Sequence, residues 1–362
     1  MQNRGYLRVR EIVAMILIIV GIKLSDSTPA LLTQNVQNAL WLVPMISCVC
    51  IFPSFLLMLY LLKKYKDKNL VQLLEEILGT VIGKIIGFII FLFAFLSIAL
   101  DSRNYVEQIK ILYYPEGPSG LIFLVLFGVV FFGAKKGFEV IGFSSFIALP
   151  FIKVSAFFIV FLVLGNLLVQ RIFPIFGSGL SDILIEGAAK ASIFAELFFI
   201  LIAYVSTRET DIFYKGSILA AIISLFEIVI FYFIYITVFD YNSVEKIAFP
   251  FHDITQFVSF GKFFSNIETI FMVFWLIAAF LKFMILIYLA TWIFGAVFNI
   301  EDFEPLLLPF TFLIATLGTL PFNSIINELQ FRNYLLNAMT PFLILLPVLL
   351  WLVALLRGGL RK

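Results

Sequence analysis

Residues 11–31 read EIVAMILIIVGIKLSDSTPAL, and residues 183–199 read ILIEGAAKASIFAELFF. Each starts as an apolar helix and is then interrupted. In the first, Lys23 and Asp26 intrude around Gly21, Ser25 and Ser27 after the apolar run Ile12–Ile22. In the second, Glu186, Gly187, Lys190, Ser192 and Glu196 break an otherwise hydrophobic stretch. A helix needs ~20 apolar residues to cross ~30 Å of hydrocarbon, so neither stretch crosses intact. Paired interruptions at matching positions of two halves point to a transporter-type binding site built from broken helices.

The surrounding chain requires a bilayer. It is 62% hydrophobic and 13% charged over 362 residues, with a mean hydropathy of +1.09. A soluble domain is about half apolar and about a quarter charged, so the excess apolar surface faces lipid. We read residues 1–362 as one all-α transmembrane domain of ten helices, roughly 11–31, 38–62, 81–106, 119–134, 139–169, 183–206, 214–239, 264–298, 304–322 and 334–357. The seam between two five-helix halves falls at Arg171–Leu180, which holds Pro174, Gly177 and Gly179. That gives a first repeat of about 1–175 and a second of about 176–362. Arg4, Arg8 and Arg10 before the first apolar run mimic a signal peptide, but no small-x-small cleavage site follows, and the segment is expected to be retained as a helix.

Lysine and arginine orient the bundle. With the N-terminus inside, cytoplasmic segments carry fifteen of them and outer segments six (Arg103, Lys110, Arg171, Lys246, Lys262 and Arg332). Both termini are therefore expected in the cytoplasm. The basic stretch Lys63–Lys68 is a topology signal and an anionic-lipid contact, not a nucleic-acid site. Cys48 and Cys50, two apart in an apolar run, match neither a redox nor a zinc pattern and read as inert thiols. His252 is the one histidine. The chain contains no P-loop, GxSxG elbow or HExxH helix, so no enzyme activity, cofactor or metal is expected.

Chemistry is sought instead in ionisable residues inside spans. Each costs ~2.5–3.5 kcal/mol at the bilayer centre and marks a functional path or a buried pair. Unwound backbone exposes N–H and C=O groups that lipid cannot satisfy. Half-helix N-termini suit a carboxylate and loose carbonyls suit an ammonium, and an α-amino acid presents both. Gly21, Ile22, Lys23, Leu24 and Ser25 in the first interruption, with Ser192, Phe194 and Glu196 in the second, are the candidate ligand-binding residues. Gly21 either allows close approach of a ligand or simply lets helices pack. Lys23 either binds an anionic group or snorkels outward. Glu196 either holds a ligand amine or pairs with Lys190 or Lys23. Lys153, Glu227 and Lys282 are the candidate proton- or ion-coupling residues. Lys153 is flanked by long uncharged runs, and burial lowers a lysine's pKa; it is either a proton-exchanging group or one half of a static salt bridge. Glu227 and Lys282 are expected to pair across the seventh and eighth spans. Asp101 and Arg103 are expected at the interface. The loop 240–263, with Pro250, His252 and Asp253, is a candidate cover for an outer vestibule.

Several stretches taken in order resemble the spore germination permease family, the GerAB-type B subunits of germinant receptors within the amino acid–polyamine–organocation superfamily. They are VREIVAMILIIVGIKLSDSTPALL at 9–32 with NALWLVPMIS at 38–47, FPIFGSGLSDILIEGAAKASIFAE at 173–196, FPFHDITQF at 249–257, and IETIFMVFWLIAAFLKFMILIYLATWIFG at 267–295. The resemblance implies a five-plus-five inverted-repeat bundle with discontinuous helices one and six, and a ligand between them. It further implies a spore inner-membrane receptor, beside a larger membrane A subunit and a lipoprotein C subunit, sensing a small-molecule germinant such as an amino acid. Lys153 resembles the fifth-helix lysine that replaces a sodium site in proton-coupled members of the superfamily, which makes an autonomous proton-coupled amino acid transporter the alternative. Lys23 and Asp26 at the first interruption depart from the small or apolar residues common there.

Overall fold

A computed structural model describes residues 7–207, 210–257, 267–321, 323 and 326–359. Arg4, Arg208, Lys262, Arg361 and Lys362, all used above to orient the chain, lie outside the described residues. Helix α1 (Val9–Ile19) stops where Gly21 and the polar residues begin, and a 3-10 segment, Gly21–Ser25, connects it to α2 (Thr28–Val36). Pro29 in the first turn of α2 needs no donor there, and the Thr28 N–H bonds Asp26 Oδ1 at 2.9 Å. A second 3-10 segment, Gln37–Leu42, leads into α3 (Val43–Lys64). Then come α4 (Leu70–Leu78), α5 (Thr80–Tyr113), α6 (Ser119–Ala134) and α7 (Phe138–Val163).

The second interrupted stretch is more irregular. Helix α8 (Leu180–Ala189) passes into a 3-10 segment Ala191–Phe194, the single turn α9 (Glu196–Phe199), and further 3-10 turns over Ile200–Ser206. The remaining helices are α10 (Thr210–Phe239), α11 (Tyr241–Val244), α12 (Pro250–Phe257), α13 (Ile267–Phe298), α14 (Leu307–Gly318) and α15 (Asn333–Leu356). A π-helical turn, Asn327–Arg332, runs directly into α15.

Among the described residues, six helical stretches are long and apolar enough to cross a membrane: Thr28–Lys64, Thr80–Tyr113, Phe138–Asn166, Asp211–Phe239, Glu268–Phe298 and Asn327–Leu356. Ser119–Ala134, Glu196–Ser206 and Glu304–Gly318 are shorter apolar helices. The molecule is thus an all-helical, multi-pass membrane protein. Helix α1 is almost wholly buried and packs against α7, α10 and α13, whereas α7 turns Phe143, Phe151, Phe157 and Phe161 outward. This inversion, a polar-tipped helix inside and phenylalanine outside, is what lipid as solvent dictates.

Helices α5 and α4 depart from the sequence reading. Helix α5 continues to Tyr113 instead of ending near 106, which places Asp101 about three turns inside a helix. Helix α4 was not expected. Asn69 and Gln72 form a reciprocal capping box (Gln72 N–H to Asn69 Oδ1 2.9 Å, Asn69 N–H to Gln72 Oε1 3.0 Å), and Leu70, Val71, Leu73, Leu74 and Ile77 bury one face against α5. That pattern is an N-terminal helix signature.

Candidate functional site

The two interruptions meet. Lys23 Nζ lies 2.8 Å from Glu196 Oε1, with both side chains at most 5% exposed. This joins the 3-10 turn of the first stretch to the start of α9 in the second. Lys23 therefore does not snorkel, and Glu196 takes Lys23 as its partner, not Lys190. Lys190 instead bonds Asn333 and Asn337 of α15.

Beside the pair is a cavity of about 20 Å³, with Lys23, Asp101, Ser192, Glu196 and Arg332 on its wall. It holds about one water. Gly21, Ile22, Leu24, Ser25 and Phe194 are buried near it but not on its wall.

The backbone groups freed by the interruptions are already occupied. The Ile22 carbonyl accepts from Ser25 Oγ at 2.7 Å, the Leu24 carbonyl from the Tyr235 hydroxyl, and the Ser25 carbonyl from Gln108 Nε2 at 3.3 Å. In the second stretch the Ser192 N–H donates to Thr340 Oγ1 at 3.1 Å, and Ser192 Oγ donates to the Leu336 carbonyl at 2.8 Å. Buried backbone groups must be paired, and here side chains of neighbouring helices, with Ser25 of the interruption itself, do it.

Around this centre runs a buried charge network that the sequence reading assembled wrongly in three places. Lys282 does not meet Glu227; it donates to Asp101 Oδ2 at 2.6 Å, with its ammonium 4.8 Å from the centroid of the Tyr105 ring. The cause is rotational register: α13 packs along α5, which turns Lys282 toward Asp101 and Tyr105. Asp101 is accordingly 6% exposed, a core residue and not an interfacial one. Arg103, on the next face of α5, pairs with Glu107 at 3.2 Å. Arg332, counted above as an outer-loop charge, is 4% exposed. It bonds Asp26 at 2.9 Å and Glu328 at 3.0 Å because the last helix begins earlier than expected. Glu328 also accepts from Ser27 Oγ and Asn104 Nδ2, each at 2.8 Å. The sequence signal that was available is the i, i+4 spacing of Glu328 and Arg332 ahead of an apolar helix.

Glu227 pairs instead with Lys153, at 2.5 Å, across the far side of the first interruption. Gly21 makes room for them. A Cβ there would lie 3.0 Å from Glu227 Oε2 and 3.2 Å from Lys153 Nζ. Of the two readings of Lys153 the ion pair is present. Its side chain and that of Glu227 keep 26% and 22% exposure.

Helix α12 caps the network from the loop. His252 is 1% exposed and burial pushes it down to about 3, so it is neutral. Its ring stands edge-on to Trp275, 4.9 Å between centroids, and Tyr113 lies 3.3 Å from its Nδ1. Trp275 in turn stacks on Tyr105 at 5.3 Å and donates to Ser25 Oγ at 3.0 Å. Cys48 and Cys50 are half-buried free thiols.

Membrane-length helices around a buried core of paired charges, with two interrupted stretches in contact, define a multi-pass membrane protein of permease type. Residues 7–326 match the family described as "Spore germination protein", and the chain belongs to that family. It is also 23% identical over 263 residues, 73% of this chain and 71% of the other, to a protein of Bacillus subtilis (strain 168) named "Putative spore germination protein YfkT".

Proposed function

We propose that this chain is the germinant-sensing membrane subunit of a spore germination receptor, binding an amino acid between its first and sixth spans. The observation that carries the reading is the Lys23–Glu196 contact, which joins the two interrupted stretches beside a cavity walled by both signs of charge. In this reading the chain has ten spans in a five-plus-five inverted repeat, and the interrupted stretches are its discontinuous helices one and six. It resides in the spore inner membrane with both termini cytoplasmic, next to a larger A subunit and a lipoprotein C subunit. Its role is ligand binding, not catalysis. The small size of the cavity fits a resting state. Ligand binding favours a more open arrangement of the interruptions, and the partner subunits read that shift.

Thermal-shift screening of the purified protein against amino acids, nucleosides and sugars tests this directly. A ligand present at about 100 times its Kd stabilises the folded state by about 2.7 kcal/mol. Stabilisation by amino acids alone is expected, and a response only to sugars or nucleosides refutes the ligand class. Deletion of the gene is expected to abolish germination toward the amino acids that bind.

A second reading, an autonomous proton-coupled amino acid transporter, is favoured by one observation: the Lys153–Glu227 pair lies against Gly21 at the first interruption. Counterflow of labelled substrate in liposomes separates the two. Robust uptake abolished by Lys153→Ala supports the carrier.

A further inference from the structure

The two carboxylate oxygens of Glu196 have different surroundings. Oε1 holds the Lys23 ammonium at 2.8 Å, whereas Oε2 has no hydrogen-bond partner among the described residues, although Glu196 is 3% exposed. A buried unpaired acceptor on the wall of a cavity is costly to leave unmade and is accounted for when a donor arrives. The backbone acceptors at the first interruption that would ordinarily receive an ammonium, the carbonyls of Ile22, Leu24 and Ser25, are already engaged by Ser25, Tyr235 and Gln108. The Ser192 N–H that would receive a carboxylate is engaged by Thr340. Charged side chains, not free backbone, are therefore what this site offers a ligand.

We propose that the Lys23–Glu196 ion pair is a built-in stand-in for the ligand, and that a zwitterionic amino acid binds by separating the pair, its ammonium going to Glu196 and its carboxylate to Lys23. The inference rests on the amino-acid reading above and assigns the two ends of the ligand. The charge balance selects the class. A neutral sugar or nucleoside that parts Lys23 from Glu196 leaves two buried charges uncompensated. A simple amine satisfies Glu196 and strands Lys23. Only a molecule with both charges at short separation restores both partners. The present cavity, about 20 Å³, has no room for one, so entry requires the pair to open. Opening the pair parts the Gly21–Ser25 turn from the start of α9. Recognition and rearrangement are thereby one event. Leu335, Leu336 and Met339 on the same wall supply the apolar side for the ligand's side chain.

The test uses the full-length purified protein and the twenty common amino acids. Each amino acid that binds by titration calorimetry is compared with its N-acetyl and its carboxamide derivative. In the wild type, blocking either end is expected to weaken binding about 10- to 100-fold, the range of one charge-assisted hydrogen bond. Glu196→Gln is expected to lose most of the discrimination against the N-acetyl form and to keep that against the carboxamide; Lys23→Gln is expected to do the reverse. A wild type that binds an amino acid and its blocked forms equally well overturns the inference with no variant required. So does either variant if it folds and retains wild-type discrimination. Both of those results leave the amino-acid reading standing. A wild type that binds none of the twenty removes that reading and this inference together.

Discussion

Two lysine–glutamate pairs flank the first interruption, and they are unlike. Lys23–Glu196 lies on the inner side, at most 5% exposed, with one glutamate oxygen unpartnered at a cavity. Lys153–Glu227 lies behind Gly21, about a quarter exposed, and the Ser224 hydroxyl, which has no hydrogen-bond partner among the described residues, faces the same glycine. Both answer the same requirement, that a charge in a membrane core finds a counter-charge. The difference lies in what each can do when disturbed. The outer pair has slack, because its side chains keep 26% and 22% exposure. The inner pair has less, because Asp101, the other carboxylate on the cavity wall, is already held by Lys282.

That distinction is sharpest when one partner is removed. Lys23→Met strands Glu196 inside the core, and breaking a buried pair costs about 3–5 kcal/mol. Lys153→Met is expected to cost clearly less. Replacing both partners, Lys23→Met with Glu196→Met, is expected to restore most of the loss, since well-packed apolar replacements of buried pairs are often near neutral. Thermal unfolding in detergent measures all three. Equal losses at Lys23 and Lys153 would erase the contrast between the pairs.

Acid probes the outer support of the inner pair. His252 packs on Trp275, which bonds Ser25 two residues from Lys23. Its folded value is depressed by burial to about 3, so between that value and its unfolded value the unfolded chain binds the extra proton. Stability contributed by neutral His252 is thus complete above about pH 6.5 and is lost as pH falls toward the folded value. Between pH 7 and pH 5 the loss is about 2 kcal/mol. His252→Gln is expected to flatten that part of the stability–pH curve. A slope unchanged by His252→Gln would place the acid sensitivity in other groups.

The sequence carried the class of fold and the location of the interruptions, because hydropathy and intruding charge are properties of a single stretch. Lys23, Ser192 and Glu196 could be singled out for the same reason. Partner choice was not legible. Whether Lys282 meets Glu227 or Asp101 depends on how α13 is rotated against α5, and a helix apolar on every face gives no periodic cue to its rotation. The burial of Asp101 and Arg332 was missed through helix ends. Charge reads as a span boundary, yet paired charge can sit inside a span, so the sequence ends the third span near 106 and starts the last near 334, short of the helices that form. Helix α4 carries a local cue, the Asn69–Gln72 capping box, but at nine residues it is too short to register as a span.

The smallest effect tests the outer pair through the residue that makes room for it. Gly21 has no positive φ to explain it, so its conformational freedom is not the reason for its presence; space is. An added Cβ would press on Glu227 Oε2 at 3.0 Å and Lys153 Nζ at 3.2 Å. Both atoms end flexible side chains, so a shift of a few tenths of an ångström relieves the contact and stretches the pair. Gly21→Ala is therefore expected to cost about 1 kcal/mol, the low end of overpacking penalties. In a Lys153→Ala, Glu227→Ala background the same change is expected to cost nothing, because the atoms it presses on are gone. A full penalty in that background would mean that Gly21 is needed by the backbone of the interruption itself, and the outer pair would then be a neighbour of the break and not the reason for its shape.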